Sequence, residues 1–231
     1  MKIFANEKLI KRNKTLGNVL SLASIGILGT GMFFSFKDKD GTYLPYTFAA
    51  LIIGFLLFQV GNYFMNRWGK SPRPDEKISQ ALKGLDSNYS LYQYTTPIPH
   101  LLVGPAGVFT LLPYNQPGVI KYDSNRGRWK QSGGNFFLKA FGGENLGRPD
   151  LDANYSKGDV SKFINKLGVD LGGYVPQAVI VFTNSKSVIE SEGSLTPVVT
   201  QENLKEFIRK QVKVNSIPAE IISQIKKAIG E

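Results

Sequence analysis

From Thr15 to Phe36 the chain runs for 22 residues without a charged side chain, and from Tyr43 to Asn66 it does so again for 24. As a helix rising about 1.5 Å per residue, either stretch can cross the roughly 30 Å of a bilayer's hydrocarbon. Two such runs in tandem constrain the fold more than anything else in the sequence. They read as a two-helix transmembrane hairpin with spans at 15–36 and 43–66. The short loop 37–42 between them, with Lys37, Asp38, Lys39 and Asp40, is polar and net neutral. Neither span holds an ionisable residue, which removes the usual marker of a proton relay or ion path and leaves an anchor.

The flanks give the orientation. Lys2, Lys8, Lys11, Arg12 and Lys14 precede the first span in the basic segment 1–14, and Arg67, Lys70 and Arg73 follow the second in the linker 67–74. Positive flanks stay on the cytoplasmic side, so both ends are expected in the cytoplasm of a cell whose inner membrane holds the hairpin. Tyr43, Tyr46, Tyr63 and Trp68 lie near the span ends, where amphipathic rings favour the headgroup zone. A cleaved signal peptide is the competing reading of the first span, but its apolar core is usually only about 7–15 residues long. Gly17, Ser21, Ser24, Gly26 and Gly29 are small enough to let two helices approach closely.

The formal charge of +10 divides by region. Residues 1–70 carry nine Lys/Arg against three Asp/Glu, and residues 71–231 nineteen against fifteen, so most of the excess accompanies the anchor. No cysteine is present and only one histidine, His100. Disulfides, thiolate zinc sites, cysteine nucleophiles and multi-histidine metal cages are therefore unavailable within the chain.

Residues 75–231 have the composition of a soluble α/β domain. A helix starts near Ser71 or Asp75 and ends at about Gly84, with Ile78, Ala81, Leu82 and Leu85 at helical spacing. Strand-like runs follow at 90–95, 98–103, 108–112 and 118–122, with another at 126–131 centred on Trp129. A helix is expected from Pro149 to Leu167, strands at 177–183 and 196–199, and helices at 201–213 and 218–229.

The stretch Pro97-Ile98-Pro99-His100-Leu101-Leu102-Val103-Gly104-Pro105-Ala106-Gly107-Val108-Phe109, continuing to Asn115 and Gly118, resembles the core of the nuclease-related domain (NERD) family. Ala178 to Phe182, Pro197-Val198-Val199, Leu204 and Phe207-Ile208 are similar to the second half of that domain, so the resemblance covers roughly residues 75–210. It implies a restriction-endonuclease-like mixed sheet flanked by helices, following the membrane hairpin. It also implies where catalytic groups belong: an aspartate before the histidine and a Glu-x-Lys pair after the Gly-Val-Phe strand. Those slots hold Pro99, Leu112 and Tyr114.

Such a nuclease holds a divalent metal on carboxylates while a lysine positions or deprotonates the attacking water. Residues two apart on a strand share a face, which brings the Glu and the Lys to one site. Leucine and proline have no ligand atom, tyrosine has no carboxylate charge, and magnesium prefers oxygen-rich octahedral sites. Glu76 matches a family glutamate on the first domain helix, and His100 the family histidine. As remnants they compete with blander roles, a helix-dipole complement for Glu76 and a hydrogen-bonded strand histidine for His100. Lys121 and Asp123 read either as a surface ion pair or as migrated catalytic groups.

Two further segments are candidates for contact with a partner or the membrane. Arg126, Arg128, Trp129 and Lys130 alternate cation and aromatic, although a strand tryptophan also reads as core. Phe136, Phe137 and Phe141 lie in an apolar stretch bracketed by glycine pairs, read either as a contact surface or as core. Lys226 and Lys227, on an apolar-periodic helix, read as facing solvent or anionic lipid. Gly104-Pro105-Ala106-Gly107 lacks the Gly-Lys-Ser/Thr ending of a phosphate loop, and no dinucleotide fingerprint occurs, so no cofactor is implied.

The expectation is a membrane-anchored, catalytically degenerate NERD-like protein acting as a binding or accessory subunit, with the bilayer and a membrane protein as partners. One alternative is a metal-dependent nuclease rearranged around Glu76 with Asp86 or Asp123. The other is a membrane-tethered nucleic-acid binder using Arg126, Arg128 and Lys130.

Overall fold

The computed structural model describes residues 1–133, 145–214 and 217–231. The chain divides into two compact units. Among the described residues, one comprises 7–73, and the other 1–6, 74–133, 145–214 and 217–231.

The first unit is built on two helices, α1 (Glu7–Lys37) and α2 (Leu44–Phe64), the second continued by a π-helical turn at Met65–Gly69. Both are long and apolar enough to cross a membrane. Glycine lets them approach. A methyl group at Gly31 would meet Ala50 Cβ at 2.8 Å, one at Gly54 would meet Leu28 at 2.6 Å, and one at Gly61 would meet Ser21 Oγ at 2.8 Å. Ser24 is fully buried on the same seam and returns its hydroxyl to the Ser21 carbonyl. Gly26 and Gly29, by contrast, have nothing nearby, so only part of the small-residue set serves the contact. The other faces are greasy and uncovered: Leu22 is 70% exposed and Phe36 81%.

The second unit is a mixed α/β domain. Helix α3 (Pro74–Ala81) opens on a proline, whose missing N–H costs nothing at a first helical position. Gly84, at φ +86°, turns the chain away after it. Strands β2 (Ser90–Gln93), β3 (His100–Gly104) and β4 (Gly107–Tyr114) then form an antiparallel meander. After β5 (Gly118–Asp123) and β6 (Arg128–Ser132) comes helix α4 (Pro149–Lys166), then β7 (Gln177–Phe182), β8 (Ser187–Glu190), β9 (Val198–Thr200), α5 (Leu204–Gln211) and α6 (Ala219–Ile229).

A six-stranded sheet runs β1-β2-β3-β4-β7-β9, and a three-stranded one runs β6-β5-β8. Strand β1 is Lys2–Ala5, residues that the sequence assigns to the basic segment ahead of the first span. It pairs in parallel with β2, from Lys2 opposite Ser90 to Ala5 opposite Gln93, and Phe4 stacks on Tyr92 at 5.2 Å. Four residues with two apolar side chains give too short a pattern to be read as a strand, and the partner lies some 90 residues away. Strand β8 escapes for the same reason. Its alternation is weak, and it forms because β5 offers it a parallel edge.

Helices cover both faces of the large sheet. On one, Ile78 of α3 and Leu82 just after it, with Leu204 and Ile208 of α5, bury Leu102, Phe109, Leu111 and Val179. On the other, Val160 and Ile164 of α4 with Ile222 and Ile225 of α6 bury Leu101, Val103 and Val108. A third cluster, with Ile120, Trp129, Ala153, Ile180 and Phe182, joins the small sheet to the large one. Burying such side chains contributes about 1.5–3 kcal/mol each.

Candidate functional site

Strand β3 alone runs against the other five strands, so its start lies beside the finishes of β2, β4 and β7. In sheets of this kind the carboxyl ends of the parallel strands are where ligands usually bind. Gln93, His100, Tyr114 and Thr183 gather there.

All three substituted slots come to this end. The register sets Leu101 opposite Thr110, and Pro99 lies just ahead of β3. Leu112 and Tyr114 share a face with Thr110, and that face looks toward α4. Thr110 Oγ1 and Ser156 Oγ are 2.7 Å apart, and the Tyr114 hydroxyl donates to Asp152 Oδ2 at 2.6 Å. Leu112 packs against the third core cluster. The Pro99 carbonyl accepts the amide of Tyr94, closing the β2–β3 connection.

Chemically these positions are closed. Burial pushes the Tyr114 phenol far above its ordinary value, and the hydrogen bond and charge of Asp152 push it the same way. It is a fixed donor and never a base near neutrality.

Glu76 and His100 belong to the opposite face. Helix α3, which carries Glu76, packs against Phe109 and Leu111. His100 is 4% exposed, and its Nδ1 makes a short hydrogen bond with Gln93 Oε1. Gln93 in turn donates to the Asp75 carbonyl at 3.1 Å and to Ser79 Oγ at 3.3 Å. The imidazole meets the Tyr94 ring edge-on at 5.1 Å. This chain of contacts ties β2 and β3 to the first turns of α3.

Lys77 is a residue that sequence reasoning misses. Its ammonium donates to Asn115 Oδ1 at 2.5 Å and reaches the Thr183 carbonyl at 3.5 Å, while Thr183 Oγ1 donates to the same Asn115 oxygen at 3.3 Å. Burial lowers its pKa. The available signals were its place beside Glu76 and that of Asn115 beside Tyr114. Lys77 pins α3 to the ends of β4 and β7.

The acids that a rearranged nuclease would need are dispersed. Asp86 accepts the Asn88 amide at 2.8 Å, ahead of β2 and so at the other end of the sheet. Asp123 sits in the β5–β6 hairpin, where the hydrogen bond from Lys130 at 2.8 Å holds its carboxyl below the usual range. Lys121 pairs with Glu190 at 2.9 Å rather than with Asp123. Among the described residues no three His, Cys, Asp or Glu stand close enough to share a metal ion.

On the same hairpin Arg126 and Arg128 are exposed. Trp129 is 7% exposed, with its ring 5.2 Å from Tyr122 and 6.0 Å from Phe182, so it is a core residue and offers no face to a partner. Phe136, Phe137 and Phe141 lie outside the described residues.

No family model, no curated protein and no solved structure matches the chain.

Proposed function

We propose that the protein is a membrane-anchored, catalytically silent NERD-like domain that works by binding, as an accessory subunit of a membrane assembly. The observation that carries the reading is the fate of the three slots. Pro99 lies just ahead of β3 and Leu112 and Tyr114 at the end of β4, and each has a structural partner: the Tyr94 amide, the third core cluster and Asp152. The element order α3-β2-β3-β4, then the β5–β6 hairpin, α4 and β7, supports a restriction-endonuclease-like core.

Two observations support the anchor. The helices of the first unit expose long apolar side chains, which water would penalise and lipid would not. Strands β1 and β2 precede and follow the hairpin, yet they pair with each other, which supports both ends of the hairpin lying on one side of a membrane. With the basic flanks, that side is the cytoplasm.

Full-length protein in mild detergent, incubated with Mg²⁺ or Mn²⁺ and plasmid DNA, single-stranded DNA or RNA, should cleave none of them. It should also recover a stoichiometric membrane protein on affinity purification. Cleavage abolished by chelation would install the rearranged nuclease instead. Recovery of nucleic acid, with binding that falls steeply as salt rises, would install the nucleic-acid binder.

A further inference from the structure

At the opposite end of the large sheet, where β1 and β2 begin, lies an open cavity of about 780 Å³. Ligand pockets run to roughly 300–1,000 Å³. Its polar side is formed by Lys2, Lys226 and Lys227 with Ser87, Asn88 and Ser223, and its apolar wall by Pro105, Ile217 and Ile222. Helix α6 explains this division. Ile222 and Ile225 point into the core, which leaves Ser223, Lys226 and Lys227 on the adjoining stripe. Lys226 does not face solvent freely, as the sequence suggests. It is partly buried and donates to the Asn88 carbonyl at 2.7 Å, with its pKa lowered by that burial.

One carboxylate shares the cavity. The Glu231 side chain bonds Lys2 at 2.8 Å, Ser90 Oγ at 2.7 Å and Tyr92 at 2.9 Å, so Lys2 and Glu231 cancel. Lys226 and Lys227 are left as excess charge, beside two serine hydroxyls and the start of α6 at Ala219. A phosphate monoester carries about −1.5 to −2 near neutrality and several acceptor oxygens, which matches two ammonium groups and hydroxyl donors. The apolar wall gives the rest of such a molecule a place to lie.

We infer that this cavity binds a soluble, phosphate-bearing small molecule, its phosphate held by Lys226 and Lys227 and its less polar part lying on Pro105, Ile217 and Ile222. A lipid headgroup offers the same phosphate chemistry. The chain, however, passes into the hairpin after Ala5 and returns from it at Pro74, and Ala5 pairs with Gln93 at the far end of the strands. The cavity opens at the strand ends away from that exit.

The test uses full-length protein in phosphatidylcholine nanodiscs, titrated with ADP and with pyrophosphate at constant ionic strength. Saturable ADP binding is expected, weakened about tenfold or more by Lys226→Gln with Lys227→Gln, as loss of charge-assisted hydrogen bonds predicts. It should be unchanged by Arg126→Gln with Arg128→Gln, two exposed cations elsewhere. Should the lysine pair fail to fold, Ser223→Trp fills the cavity from an exposed position and must also abolish binding. No binding by the unaltered protein overturns the proposal. So does equal binding by the cavity variants, or a site that is occupied only when the discs carry anionic lipid.

Discussion

The two ends of the large sheet have opposite characters. At the carboxyl end of the parallel strands the polar side chains are each closed by hydrogen bonds: His100 with Gln93, Lys77 and Thr183 with Asn115, and Tyr114 with Asp152. At the other end, three lysines share a cavity with one carboxylate, Glu231. The resemblance in sequence points to the first end, while the unspent chemistry lies at the second. The difference teaches that a sequence pattern and an excess of charge beside a cavity can point to opposite ends of one sheet. Substitutions at the two ends should therefore fail in different ways.

The largest effect is expected at the turn that shapes the open end. Gly107 begins β4 at φ +122°, and a methyl group there would stand 1.9 Å from the Tyr174 hydroxyl, the same group that accepts the Val108 amide at 3.1 Å. Gly107→Ala thus meets both backbone strain and a clash that displaces a hydrogen-bonded ring. A cost of about 3 kcal/mol or more is expected, as a lower urea midpoint for the full-length protein in detergent. A midpoint within experimental error of the unaltered protein would show that the turn relaxes freely and that the cavity's wall is not rigid.

A smaller effect is expected at the closed end. Tyr114→Phe removes the donor to Asp152 and nothing else, for a loss of about 1 kcal/mol in urea unfolding. Asp152 lies in the first turn of α4, where a carboxylate is favoured, so it survives the loss. ADP binding should not change. If Tyr114→Phe weakened ADP binding as the lysine pair does, the two ends would be coupled and the comparison would break.

The layered architecture could be read in the chain because its signals are local. The 22- and 24-residue uncharged runs, the Gly-Pro-x-Gly turn between β3 and β4, and the apolar spacing of α4 and α6 each declare themselves within a short window. Strand β1 could not, since nothing in Lys2–Ala5 speaks of Ser90–Gln93 across an intervening hairpin. The site was half legible. The sequence picks out Leu112 and Tyr114 on one face of β4, but the partners Asp152 and Ser156 on that face come from a helix about 40 residues away. The cavity was illegible because it is assembled from Lys2, the turn before β2 and the last helix. Sequence shows Lys226 and Lys227 only as a polar stripe, and only packing shows that Lys226 is drawn inward.

The smallest expected effect concerns pH at the open end. Burial acts to raise the Glu231 carboxyl, but hydrogen bonds from Lys2, Ser90 and Tyr92, with the charge of Lys226, outweigh it and bring the value from 4.5 down to about 2. A carboxylate depressed in the folded state adds stability that is complete above its unfolded value and is lost as pH falls toward the folded one. The window is therefore 4.5 down to about 2. Melting temperature measured across it should fall less steeply for Glu231→Gln than for the unaltered protein, and above it the unaltered protein should be the more stable. Removing this carboxylate also frees Lys2, so the same variant should hold ADP more tightly. Parallel melting curves would mean that Lys2 and Glu231 are screened by solvent and that their pairing adds nothing to stability.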